Sequence, residues 1–140
     1  MLSNSLAYAI KALIYISHNS SETERITLKE VSDSTEVPKP YIAKILQDLV
    51  RNNVLHSIKG PNGGFYFSEE GLDISLLQVV HILEGPDKYN KCLLSLKDCN
   101  ASSPCPLHDN IGQVRVELLK RLEQITFRQL MQHKKSVDLF

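Results

Sequence analysis

Mainly α-helical with one small β-hairpin is the fold class this sequence predicts, and three observations predict it. Apolar residues recur at helical spacing in several separate stretches, of which Ile42, Ile45, Leu46, Leu49 and Val50 form the cleanest. Val54 to Ile58 and Phe65 to Phe67 flank Lys59-Gly60-Pro61-Asn62-Gly63-Gly64, the pattern of two strands joined by a glycine-rich turn. Ile111, Val114, Leu118, Leu122 and Ile125 then continue a narrow apolar seam between charged flanks, on a helix of about four turns.

In order along the chain, Leu6, Ala7, Ile10, Leu13 and Ile14 place a first helix from about Ser3 to His18, and the polar run Asn19 to Arg25 ends it. Thr27 opens a short second helix, Leu28 to about Ser34. Its hydroxyl can accept an N–H from the first turn while Glu30 reaches back to complete a capping box. After the turn at Glu36-Val37, Pro38 and Pro40 stand where a helix can begin but not pass through, because proline fixes φ and has no N–H to donate.

The third helix carries the apolar stripe on one face and Lys39, Tyr41, Ala43, Lys44, Gln47, Asp48 and Arg51 on the other. Cations that suit phosphates thus mix with side chains able to hydrogen-bond base edges. Any solvated helix face shows a similar mixture; the hairpin that follows shifts the balance. Two short helices meeting at a turn and followed by a hairpin make a winged helix-turn-helix, in which the third helix reads DNA and the hairpin is the wing. On that wing Lys59 supplies a cation, and the bare N–H groups of Gly63 and Gly64 can face a phosphate. The same two glycines serve equally well simply to make a turn. The expected DNA-binding set is Lys39, Pro40, Tyr41, Lys44, Gln47, Arg51, Lys59, Gly60, Asn62, Gly63 and Gly64.

Ile74, Leu77, Val80, Ile82 and Leu83 form a fourth helix stopped by Gly85-Pro86. From Asp87 to Pro106 no period holds, and so long a loop is uncommon unless it is functional or disordered. The seam beyond it, flanked by Arg115, Glu117, Lys120, Arg121 and Glu123, resembles a coiled-coil strip. A second copy would satisfy its dimerisation residues Ile111, Val114, Leu118, Leu122 and Ile125, and so would packing onto the first helix. Thr126 to Met131 reads as a short closing helix, and the tail from His133 as mobile. The expected organisation is a DNA-binding domain over 1–84, a cysteine-bearing cofactor loop over 85–108, and a long dimerisation helix with a C-terminal tail over 109–140.

Cys92, Cys99 and Cys105 are the chain's three cysteines, and His108 follows the last at the third place. No apolar run approaches the roughly 20 residues that cross a bilayer, and Met1-Leu2-Ser3-Asn4-Ser5 lacks the basic start of a signal peptide, so a cytoplasmic protein with no membrane association is expected. There thiols stay reduced, and an odd number cannot fully pair, so the cluster reads as ligands or sensors. Thiolates with one histidine can complete a four-ligand set for an iron–sulfur group. A zinc ion could take the same Cys3His set, although structural zinc sites favour tight Cys-x2-Cys pairs that are absent here. Metal-free sensing by oxidation of an exposed thiolate is a further reading. Three small buried residues without chemistry is the last, and a loop rich in Asp, Asn and Ser is a poor place to bury them.

With 16 basic and 16 acidic residues the formal charge is zero, so no global positive field advertises nucleic acid. No Ser-His-Asp set, P-loop or framed carboxylate pair occurs, and His18, His56, His81 and His133 have no companions at catalytic spacing, so the chain is not expected to be an enzyme. A module that binds only other proteins is the remaining competitor.

Taken together, these segments resemble the IscR/NsrR/CymR-type family of winged helix-turn-helix transcription regulators. The resemblance runs from Tyr8-Ala9-Ile10-Lys11-Ala12-Leu13 through Val37 to Leu46, Gly60-Pro61-Asn62-Gly63-Gly64-Phe65 and Ile74 to Val80, and ends on Cys105-Pro106-Leu107-His108 and Thr126-Phe127. It covers nearly the whole chain. It implies a homodimer whose C-terminal helices cross, a palindromic double-stranded operator, and a regulator, here a repressor, that senses iron–sulfur status, redox or nitric oxide. It also implies an iron–sulfur cluster on Cys92, Cys99 and Cys105 with His108 as fourth ligand, 2Fe-2S before 4Fe-4S. Some members use an acidic residue near the partner's N-terminus instead; Tyr8 stands in that region here and cannot easily serve. Six and then five residues separate the cysteines, a departure from the commoner even spacing, and Lys59 replaces an arginine often found in the wing. Cluster-free relatives imply an alternative, a regulator working through thiol oxidation or a protein partner.

Overall fold

In a computed structural model that describes residues 2–94 and 97–133, the chain runs α1 (Asn4–Asn19), α2 (Leu28–Thr35), α3 (Lys39–Arg51), β1 (His56–Ile58), β2 (Gly64–Tyr66), α4 (Glu69–Leu72), α5 (Leu76–Glu84), α6 (His108–Gln124) and α7 (Phe127–Gln132). The tail expected to be mobile falls, past His133, outside the described residues. Local signals fix most of these boundaries. The Thr27 hydroxyl accepts the Glu30 N–H at 3.2 Å while the Glu30 carboxylate accepts the Thr27 N–H at 2.7 Å, so the expected capping box opens α2. Ser75 with Gln78 and Thr126 with Gln129 repeat the device at α5 and α7. Glu36 takes a left-handed φ of 57° to end α2, and Pro38 and Pro40 then occupy the start of α3, where a missing N–H costs nothing.

α1 lies centrally, packed against α2, α3, α5 and α7. Leu6, Leu13 and Ile16 from it meet Val31, Ile42, Leu46, Leu49 and Val79 in one fully buried cluster. The apolar stripe of α3 thereby fixes which of its faces is left outside.

The hairpin pairs antiparallel with His56 opposite Tyr66, Ser57 opposite Phe65 and Ile58 opposite Gly64. It is shorter than the alternating pattern suggested, because Val54 and Leu55 turn into the core before the strand begins. A contact distant in sequence reinforces it. Ile26 bridges Phe65, each N–H donating to the other's carbonyl, at 3.0 and 2.8 Å. Two boundaries differ from expectation. Ile74 precedes its helix, which starts at Leu76 behind the Ser75 cap, and α4 is a single turn capped by Ser68 that no periodicity announces.

The C-terminal seam divides its labour. Leu122 is 9% exposed, and Leu118 and Ile125 pack against the same core, mainly through α5. Ile111 and Val114, at 41% and 64% exposure, stand clear of it. Leu76 donates its N–H to the Ile125 carbonyl at 2.9 Å, which ties the end of α6 to the start of α5. Phe127 is completely buried, its ring 5.3 Å from that of Phe67. Arg128 reaches the carboxylates of Asp73 at 2.7 Å and Glu69 at 3.0 Å. No helix among the described residues is long and apolar enough to cross a membrane.

Candidate nucleic-acid interface and metal centre

Burial of Ile42, Ile45, Leu46 and Leu49 leaves Lys39, Pro40, Tyr41, Lys44, Gln47 and Arg51 exposed along one side of α3, Tyr41 at 65%. Arg51 is engaged with Asp48 at 3.1 Å, an exposed pair that holds it only weakly. Lys44 has no ion pair among the described residues and is the least encumbered cation of the face. Lys59, Gly60 and Asn62 of the wing are exposed as well.

The wing glycines answer a question that composition left even. A Cβ on Gly63 would lie 2.2 Å from the Ile58 carbonyl oxygen, and one on Gly64, at φ +148°, would lie 2.7 Å from that of Ile26. Backbone approach therefore requires both glycines. The Gly63 N–H is not bare, as had been expected, because it closes the turn onto the Gly60 carbonyl at 2.9 Å. Gly63 shapes the wing tip; Lys59 and Asn62 are the side chains it presents.

The cysteine loop is folded by its own backbone. Lys91 bridges Asp98, the Cys92 N–H donates to the Lys97 carbonyl and the Cys99 N–H to the Asn90 carbonyl, both at 2.9 Å. A turn then carries Cys105 to His108, whose N–H donates to the Cys105 carbonyl at 2.9 Å and which starts α6. These turns bring the four expected donors into two pairs. Cys99 Sγ lies 3.2 Å from His108 Nδ1, and the Cys92 thiol hydrogen-bonds that of Cys105. That hydrogen bond, with the neighbouring charges of Cys92 and Cys99, holds the Cys105 thiol above its ordinary pKa even though a backbone bond at Leu107 pulls the other way. All three cysteines are reduced and half-buried. Among the described residues, no three His, Cys, Asp or Glu side chains are gathered closely enough to share one metal ion. The donors form two pairs.

Where the loop leaves α5, the Ser3 hydroxyl donates to Glu84, and Lys88 pairs with the same carboxylate at 3.0 Å. Burial opposes the charge of Glu84, but these two partners outweigh it and keep its carboxyl below the usual range. The beginning of α1 is thus fastened to the root of the cysteine loop. Sequence reading missed this anchor, although Glu84 and Lys88 at helical i, i+4 spacing were a signal for half of it.

A family model described as Rrf2, iron-dependent transcriptional regulator, matches residues 2–133. A protein of Aquifex aeolicus named as an HTH-type transcriptional regulator is 26% identical over 133 residues, which span 94% of this chain and 91% of that one. The regulator NsrR of Oceanobacillus iheyensis is 23% identical, with 93% and 88% covered, and IscR of Klebsiella pneumoniae is 22% identical, with 94% and 80% covered. Among solved structures, CymR, the global cysteine regulator of B. subtilis, superposes with a TM-score of 0.75 at 20% identity over 94% of this chain and 96% of its own. T. potens IscR gives 0.73 at 17% identity over 100% and 92%. The winged-helix fold is shared with both, and with its family model matched from residue 2 to residue 133 the chain belongs to the Rrf2 family, whose members are transcriptional regulators and not enzymes.

Proposed function

We propose that this regulator is a homodimer and a repressor, that it grips a palindromic operator with Lys39, Pro40, Tyr41, Lys44, Gln47 and Arg51 of α3 and with Lys59 and Asn62 of a wing shaped by Gly60, Gly63 and Gly64, and that an iron–sulfur group held by Cys92, Cys99, Cys105 and His108 sets its occupancy. The observation that carries this reading is the pairing of one loop's three thiols and the first residue of α6, with Cys99 Sγ 3.2 Å from His108 Nδ1 and Cys92 hydrogen-bonded to Cys105.

The donor set fits such a group. Soft thiolates with one imidazole are iron–sulfur ligands, and two separate pairs suit a 2Fe-2S centre, in which each iron takes its own protein ligands, better than one tetrahedral ion that needs all four around a point. A 4Fe-4S centre is the second choice. The description of the family as iron-dependent, and the likeness to proteins named NsrR and IscR, support the assignment. When bound, the group supplies a centre whose presence depends on iron supply and on redox or nitric oxide chemistry. Reduced thiols suit such a group, and the compartment we propose is the reducing cytoplasm.

Coupling to DNA follows from the position of His108. It is both a donor and the first turn of α6, so a change that orders or releases residues 85–108 acts on the helix carrying Ile111 and Val114. Those two exposed residues, rather than the internally packed Leu118, Leu122 and Ile125, form the dimer face. Affinity for the operator then changes by the difference in free energy between the two loop states. Two α3 helices in a dimer demand half-sites about one helical turn apart, or a multiple of it. Cys92→Ala is expected to abolish visible absorption of anaerobically prepared protein and to alter operator affinity. If both are unchanged, the sensing role falls.

The Cys92–Cys105 contact favours one further reading, a metal-free thiol switch. Hydrogen peroxide would take two electrons and two protons from the thiols, giving a disulfide and two water molecules. Intact-mass analysis after peroxide treatment of metal-free protein distinguishes it by the loss of two hydrogens.

A further inference from the structure

Arg25 belongs to none of the sets above, yet it joins parts of the chain 37 residues apart: its Nη1 donates to the Asn62 carbonyl at 3.1 Å. We propose that Arg25 is the positioning residue of the wing, clamping the hairpin tip to the segment before α2 so that Lys59 and Asn62 are held in place for a DNA backbone. This rests on the DNA-binding reading above and adds a residue to it.

The base and the tip of the wing are supported differently. At the base, Ile26 and Phe65 exchange two hydrogen bonds, and Gly64 lets the backbones approach so closely that a Cβ there would also meet the Arg25 Cβ at 3.1 Å. The tip has no such backing. Residues 59–62 are all exposed, and the two strands below them have three residues each, too few to hold a ribbon rigid on their own. The turn is closed internally by Gly63 onto Gly60. Among the described residues, the bond that ties residues 59–62 to another part of the fold is the one from Arg25.

The Arg25 Nε–H is buried and meets no acceptor. A guanidinium also brings a positive charge to the Asn62 end of the wing, and its planar fork can hold a carbonyl in a fixed direction as a lysine ammonium cannot.

Two measurements on the full-length protein test this. Amide hydrogen exchange of Arg25→Ala is expected to accelerate at Gly63 by about tenfold, the scale of one hydrogen bond from a charged group, while α3 amides keep their rates and report an intact fold. Operator affinity is then read in a double-mutant cycle with Lys59→Ala. Both single variants are expected to weaken binding, and Lys59→Ala is expected to add little once Arg25 is gone, because an unclamped wing no longer delivers Lys59. Unchanged exchange at Gly63 overturns the clamp. Faster exchange with fully additive losses of affinity overturns the positioning role. Should Lys44→Ala and Lys59→Ala both leave affinity unaltered, the DNA-binding reading itself falls and takes the role of the clamp with it, whereas the exchange rates decide its existence on their own.

Discussion

Replacing Lys44 with alanine isolates the electrostatic contribution of α3. Lys44 is exposed, lies opposite the buried stripe and has no ion pair among the described residues, so its removal leaves the core and the ion-pair network untouched. Each phosphate neutralised by a cation contributes about 0.9 to the slope of log affinity against log salt. A dimer presents the residue twice, and its slope should therefore become shallower by about 1.8, whereas a monomer would lose only about 0.9. Between about 50 and 200 mM salt, a fourfold change, the larger figure makes the variant's affinity fall roughly twelvefold less than that of the parent. Fluorescence anisotropy of a labelled duplex, recovered by selecting genomic fragments that the protein retains, supplies the measurement over a salt series. A slope equal to the parent's would remove Lys44 from the phosphate backbone and α3 from its assigned place, however much the affinity at one salt concentration had changed. A change near one unit would keep the contact and sink the dimer.

Two further predictions address the scaffold. Phe127→Ala empties a fully buried site beside Phe67 and should cost about 3–5 kcal/mol in chemical denaturation, a loss below about 1 kcal/mol showing that α7 does not anchor to the core. Glu30→Gln tests the capping box by pH: the Thr27 N–H, and after it the Thr27 hydroxyl, keep the Glu30 carboxyl below its ordinary range, so the stability it lends is present above the unfolded pKa and disappears as pH falls through the lowered folded value. The melting-temperature gap between parent and variant should accordingly be open near neutrality and close below the usual carboxylate range, and a gap indifferent to pH would show that charge plays no part.

What could be foreseen from the residues alone followed the range of the forces involved. Thr27 with Glu30, the Pro38-x-Pro40 start and the glycine turn act within a few positions, so their partners stand beside them in the sequence and the elements came out where expected. α4 escaped because a single turn has no period; Ser68 ahead of Glu69 and Glu70 was its faint signal. The C-terminal seam was visible as a seam, but apolar spacing is identical whether a helix meets its own core or another copy, and only packing assigned Leu122 inward and Val114 outward. At the cysteine loop the donors were legible and their pairing was not, since backbone turns at Asn90 and Cys105 set which thiol meets which. The bond from Arg25 to Asn62 left no trace at all, because nothing in either neighbourhood names the other.

Phe127 and Arg128 come from the end of the chain but finish the interior and the rim of its first half, against Phe67 and against Asp73 and Glu69. Anyone grafting a foreign sensor onto this DNA reader would find no seam to cut after α5, since a splice there discards the plug that closes the helix-turn-helix. The exchangeable cassette is the stretch from Gly85 to Leu107, whose two ends are already pinned by Glu84 and by α6. If the loop senses as proposed, swapping that stretch alone is expected to change the signal and to leave the helix-turn-helix whole.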